Sequence, residues 1–227
     1  EPMRKMKGGC LPRPFLWGFL NMINSGDTAF VLVSSALVLL MTPGLAFFYG
    51  GMVRRKNVLS ILMQCFIIMC VIGLQWMLFG YSLAFGPDAW GGLIGTLEWA
   101  GLRSVGMSPF IAYSPTVPHL AFMSFQGMFA VIAAAIIIGA FAERVKFGGM
   151  LLFTTFWSIF VYDPIAHWVW GVDGWMRSFG GLDFAGGIVV HMSSGFSALV
   201  LALLIGKRIG YERAMISPHN LPFTVLG

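Results

Sequence analysis

HLAFMSFQGMFAVIAAAIIIGAFA, residues 119–142, decides the fold class. It contains no Asp, Glu, Lys or Arg. As a helix rising 1.5 Å per residue it reaches about 36 Å, more than the roughly 30 Å hydrocarbon core of a bilayer. The uncharged run around it is longer still, from Arg103 to Glu143. Similar gaps separate Asp27 from Arg54, Lys56 from Asp88 and Asp183 from Lys207. Strict apolar/polar alternation over about 10 residues would mark a transmembrane β-strand. Runs such as IIIGAF and LVLALLIG do not alternate. Helices, which satisfy their own backbone in lipid, are therefore predicted.

The remaining composition agrees. The chain of 227 residues is 58% hydrophobic and 10% charged, against about 25% charged for a soluble domain. Its mean hydropathy is +0.82. A net charge of +5 fits basic residues in short loops, so no nucleic-acid partner is inferred. Cys10, Cys65 and Cys70 form no disulfide framework. HExxH, CxxC, GxSxG and GxxxxGK[ST] are all absent, and the four histidines lack local metal spacing. No enzyme, catalytic residue, metal or cofactor is expected.

Five complete spans are predicted at 28–51, 58–80, 119–142, 149–169 and 184–206, with a sixth starting near Asn220. The connections 52–57, 143–148 and 207–219 hold eight Lys or Arg. Connections 81–118 and 170–183 hold only Arg103 and Arg177. The positive-inside rule makes the first set cytoplasmic and starts the first span outside. Residues 1–26 conflict with that, since Arg4, Lys5, Lys7 and Arg13 would lie outside. A signal-like segment with the apolar run 15–23 is one resolution, and a misassigned start or appended tail is another. The fourth span is short, and Asp163-Pro164 should bend or break it.

His191 lies inside the fifth span, about 12 Å from its start. It is either polar glue between helices or a pore-lining, proton-handling group. Asp183 is placed to cap that span and also to attract cations. Phe129, Trp170 and Tyr113 fit an interfacial aromatic belt or a cation–π cage. Gly127, Gly139, Gly186, Gly187 and Gly195 permit close helix approach. A bis-histidine haem between His167 and His191 has nothing to support it.

Seven stretches together resemble one family, the Amt/MEP/Rh ammonium transporters, and within it the Amt/MEP branch. They are DTAFVLVSSALVLLMTPGLAFFYGGMVRRKNVLS (27–60), FQGMFA (125–130), GAFAERVKF (139–147), YDPIAHWVW (162–170), LDFAGGIVVHMSSG (182–195), GKRIG (206–210) and PHNLP (218–222). The resemblance covers residues 27–227 as one transmembrane domain. It implies an all-α polytopic bundle: the first five-helix half of an eleven-helix inverted repeat, plus the start of helix six, in a homotrimer. It implies that Phe125 and Phe129 are pore phenylalanines and that Trp170, Phe129 and Asp183 recruit the cation in the outer vestibule. It makes His191 the first of two pore histidines. The partner histidine would lie past Gly227, so the chain reads as a fragment or a truncated product. A five-span half could not enclose a pore.

The expected activity is transport of ammonium/ammonia and methylammonium across a cell membrane. Aromatic faces favour the cation by about 0.5–2 kcal/mol, a dry pore lowers its pKa, and His191 relays protons. The alternative is an ammonium sensor that signals to a fused cytoplasmic module. A PII-type regulatory protein is a further possible partner.

Overall fold

The computed structural model describes residues 23–211 and 217–227. The expectation for residues 1–26 falls almost wholly outside them, as does Arg213. Most of the described chain is helical. Helix α1 spans Ser25–Met52. Asn24 caps it, its Oδ1 accepting from Asp27 N at 3.0 Å. Helix α2 runs Val58–Gln75 and continues through a π-helical turn, Trp76–Gly80, into α3, Tyr81–Phe85. A small antiparallel ribbon follows, β1 (Pro109–Phe110) with β2 (Ser114–Pro118). Helix α4 spans His119–Phe141. Helix α5, Phe147–Trp157, passes through a second π-turn, Ser158–Tyr162, into α6, Asp163–Trp170. After the short α7, Trp175–Ser178, a third π-turn, Gly187–Met192, leads into α8, Ser193–Ile205. Helix α9, Leu221–Leu226, starts at the cap Asn220.

Among the described residues, five helical stretches are long and apolar enough to cross a membrane. They match the five predicted spans, and the start near Asn220 also holds. Of the two outcomes expected at Asp163-Pro164, a break does not occur: the fourth span passes through the π-turn Ser158–Tyr162 and carries on to Trp170. The carbonyl that a proline leaves without a donor is four residues back, at Phe160, inside the π-turn. The wider turn takes up the proline and the span continues.

Helix α4 is the core. It packs against α1, α2 and α8. Of its apolar window 61% is buried, against 11% for α1, as an all-round hydrophobic helix requires. Gly127 and Gly139 bring it close to its neighbours: a Cβ would stand 2.8 Å from Trp76 Cδ1 and 3.1 Å from Tyr49 Cε1 respectively.

The two ends of the bundle differ in charge. At one end Glu143 Oε1 accepts from Arg54 N and Nε and from Asn57 Nδ2, and Oε2 meets Arg208 Nη1 at 3.3 Å. Arg144 Nη1 donates to Gly206 O at 2.9 Å, and His219 N donates to Gly51 O. The first, third and fifth connections thus share one face. Burial alone would raise the Glu143 carboxyl. The hydrogen bonds from Asn57 and Arg54, with the Arg54 charge, outweigh it and hold the group below the usual range. At the opposite end Trp175 N donates to Gly92 O and Trp168 Nε1 to Leu93 O, joining the second and fourth connections. The five-span alternation predicted from charge is therefore reproduced geometrically.

Candidate functional site

The site is built where α6 ends and the fifth span begins. Trp170 closes α6. Its indole Nε1 donates to the Asp183 carbonyl at 2.7 Å, and Arg177 Nη1 donates to the Trp170 carbonyl at 2.6 Å. These bonds fix both ring and backbone of a half-buried tryptophan. Phe129 meets Trp170 edge-on, centroids 6.3 Å apart and planes at 70°. Phe125 meets Phe129 in the same way at 5.1 Å and 84°. Phe125 and Phe129 are four residues apart on α4, hence on one face. The three rings form a continuous edge-to-face run, a preferred arrangement for aromatic quadrupoles.

Asp183 organises the start of the fifth span. Its Oδ1 accepts from Gly187 N at 2.7 Å, and its Oδ2 from Ile188 N at 2.8 Å and Val189 N at 3.1 Å. A helix start leaves such N–H groups without partners, and a carboxylate there also offsets the positive end of the helix dipole. Both oxygens are committed to this cap. The loop can close because Gly186 sits at φ +79°, a left-handed conformation natural to glycine. A Cβ there would stand 2.9 Å from Val190 Cγ2 and 3.5 Å from Trp170 Cη2.

His191 lies in the π-turn that this cap starts. Gly186 O accepts from both Val190 N (2.9 Å) and His191 N (3.0 Å). Ser193 and Ser194 turn their hydroxyls back onto the Val189 and Val190 carbonyls, a local bonding habit of serine in helices. HMSSG is thus the local cause of a widened turn, a feature frequent at functional positions. His191 is exposed on the face of this half-bundle, because among the described residues no helix packs over the side of the fifth span that it occupies.

The other candidates sort differently. Tyr113 is a clamp: its hydroxyl donates to Phe85 O at 3.0 Å and accepts from Val172 N at 2.9 Å, and burial pushes it up to about 12. His167 has Nδ1 against Ala84 O at 3.1 Å and Nε2 against Asp88 Oδ1 at 3.3 Å. Both its ring nitrogens are taken, and it does not pair with His191. Among the described residues no group of three or more His, Cys, Asp or Glu could hold a metal. Sequence reasoning passed over Gln75, Glu143 and the buried role of Asp163. A glutamine in the middle of an apolar span was the available signal for Gln75, and a lone acid among basic residues the signal for Glu143.

Residues 29–227 match a family model described as Ammonium Transporter Family. An ammonium transporter of Bacillus subtilis is 55% identical over 89% of this chain and 48% of its own length. Among solved structures, Mep2 of Saccharomyces cerevisiae matches with a TM-score of 0.80 at 38% identity, over 90% of this chain and 46% of its own. A protein titled Sensor Amt Protein matches with a TM-score of 0.79 at 29% identity, over 88% and 50%. The chain spans about half the length of the relatives it matches.

Proposed function

The chain belongs to the ammonium transporter family, and from that premise we propose that it supplies the recruiting half of a transmembrane conduit for ammonium and methylammonium. The observation that supports this best is the ring run Phe125–Phe129–Trp170, tied by a hydrogen bond to the loop that presents His191. In this reading the basic end of the bundle faces the cytoplasm and Trp170 lies at the outer mouth.

Ammonium and potassium ions have similar size and charge, so a selective pore must use chemistry that only ammonium has. Ammonium donates hydrogen bonds and can lose a proton. An aromatic face favours the cation by about 0.5–2 kcal/mol, and the Asp183 charge adds attraction over distance. Desolvation in the pore disfavours the charged form of an ammonium group, and the neutral molecule passes between the phenylalanines. His191, on the exposed face of the fifth span, is the group this chain offers for accepting a hydrogen bond from the passing molecule or for moving its proton.

Enclosing the pore takes residues outside this chain. We assign them to the remainder of an eleven-helix protomer assembled as a homotrimer. A sensor sharing the same transmembrane half is the second reading, favoured by the Sensor Amt Protein likeness. The higher identity to transporters supports reading transport first.

The test is methylammonium uptake by cells or liposomes carrying the intact protein. Wild type should take up methylammonium against a background of potassium. His191→Ala should lose selective, electrogenic flux. Selectivity retained in that variant would refute the role given to His191, and no uptake by wild type would favour the sensor.

A further inference from the structure

Asp163 lies in the middle of the fourth span, with its side chain wholly out of reach of solvent. Its Oδ2 accepts from Gln75 Nε2 on the second span at 2.7 Å. Gln75 Oε1 in turn accepts from Ser158 Oγ at 3.3 Å. The other carboxyl oxygen, Oδ1, has no partner, and neither has the buried hydroxyl of the adjacent Tyr162. The contact sits where the two spans carry their π-turns, Trp76–Gly80 and Ser158–Tyr162. Gly80 makes room for it, since a Cβ there would stand 2.6 Å from Gln75 Nε2.

No counter-charge is at hand. There is no Lys or Arg between Lys56 and Asp88, between Arg103 and Glu143, or between Lys146 and Arg177. His167, one turn further along α6, has both ring nitrogens engaged by Ala84 O and Asp88 Oδ1. On α3, the Tyr81 hydroxyl is paired with His119 Nε2 at 2.6 Å. Tyr162 on the same span brings no positive charge.

A bare carboxylate in such surroundings costs far more than a protein's net stability, and the group is neutralised instead. Neutralisation requires a metal cation or a proton. A hard cation takes several oxygen ligands around an ion-sized space. Beside the paired Gln75 and Ser158, the π-turn and its continuation offer Asp163 Oδ1 and the Tyr162 hydroxyl as unpartnered side-chain oxygens, fewer than such a cation takes. A proton needs no extra space, and it leaves Oδ2 free to accept from Gln75 Nε2. We propose that Asp163 is a resident proton-binding site, a neutral carboxylic acid that carries its proton on Oδ1 and accepts from Gln75 on Oδ2. Acid and amide then form an uncharged clip between the second and fourth spans. The clip is distinct from the ring run that leads to His191.

Infrared spectra of the intact protein in membranes at neutral pH test this, with Asp163→Asn and Asp163→Leu alongside. The wild type should show the C=O stretch of a protonated carboxyl, and Asp163→Asn should lack that band. Asn keeps an acceptor for Gln75 and a donor in place of the acid O–H, so its melting temperature should stay near the wild type. Asp163→Leu leaves Gln75 Nε2 without an acceptor and should melt several degrees lower. The proposal is overturned if the wild type lacks the band, or if Asn destabilises as much as Leu. It is also overturned if sodium or potassium chloride, compared with choline chloride, raises the melting temperature of wild type but not of Asp163→Asn, which would mark a bound metal cation.

Discussion

Replacing Asp183 separates its two contributions, the cap and the charge. The carboxylate accepts three backbone N–H groups, from Gly187, Ile188 and Val189. Removing an N-cap side chain costs about 0.5–2 kcal/mol, and hydrogen bonds to charged groups contribute roughly 1.5–3 kcal/mol each. Water reaches this partly exposed loop and replaces some of that bonding, so we predict a loss of about 3 kcal/mol for Asp183→Ala. At about 1.4 kcal/mol per factor of ten, the capped π-turn would fall roughly a hundredfold in population relative to an unwound one. Asp183→Asn can put its amide oxygen where Oδ2 stands and keep the Ile188 and Val189 bonds. Its loss should be nearer about 1 kcal/mol. The assay is thermal unfolding of the intact protein paired with methylammonium flux. If the cap positions His191, flux and stability fall together, Ala well below Asn. An Ala variant that matches wild type in both measurements refutes that coupling. So does an Asn variant that keeps its stability yet loses flux as completely as Ala, since charge alone would then be the requirement.

Three further predictions concern other parts of the fold. Glu143→Gln should destabilise by about 2 kcal/mol, less than for a fully buried ion pair, since the Arg54 and Arg208 side chains are 33% and 25% exposed. Because the folded-state Glu143 carboxyl is held below its ordinary value, its contribution is present above the unfolded pKa and is lost as pH falls through the folded one. Melting curves down through the acid range should show that loss in wild type and a flatter profile in the variant. Gly186→Ala puts a Cβ into a left-handed position, at about 1–2 kcal/mol, and against Val190. Tryptophan fluorescence should report displacement of the Trp170 ring, and an unchanged spectrum would show that the loop absorbs the strain elsewhere. Trp170→Leu removes the cation–π face, so apparent affinity for methylammonium should drop by roughly 2- to 30-fold, with a melting temperature lowered by the lost bond to the Asp183 carbonyl but a folded protein. Unchanged affinity would remove Trp170 from cation recruitment.

How readily each polar group could be read depends on how local its cause is. The Asp183 cap was legible in part: a carboxylate just ahead of the fifth span was expected as its N-cap residue, whereas Gly186 holds that position and Asp183 reaches the first three N–H groups from four to six residues back. The ring run was only half legible. Phe125 and Phe129 share a helix face by spacing, but Phe129 meeting Trp170 depends on how two spans are rotated against each other. His191 shows the limit of reasoning from depth alone. It does lie inside the fifth span, but that span starts at Gly187, only four residues before it, and its exposure is set by which neighbours the span has on that side.

The class, the number of spans and the arrangement of their basic ends were determined by sequence alone, because long uncharged runs and loop charges act through the solvent around each segment. Tertiary structure alone decided which buried polar groups meet. Gln75 and Asp163 are 88 residues apart and Arg54 and Glu143 are 89 apart. Such pairs are fixed by the rotation and depth of one helix against another, which hydropathy along a single segment does not encode.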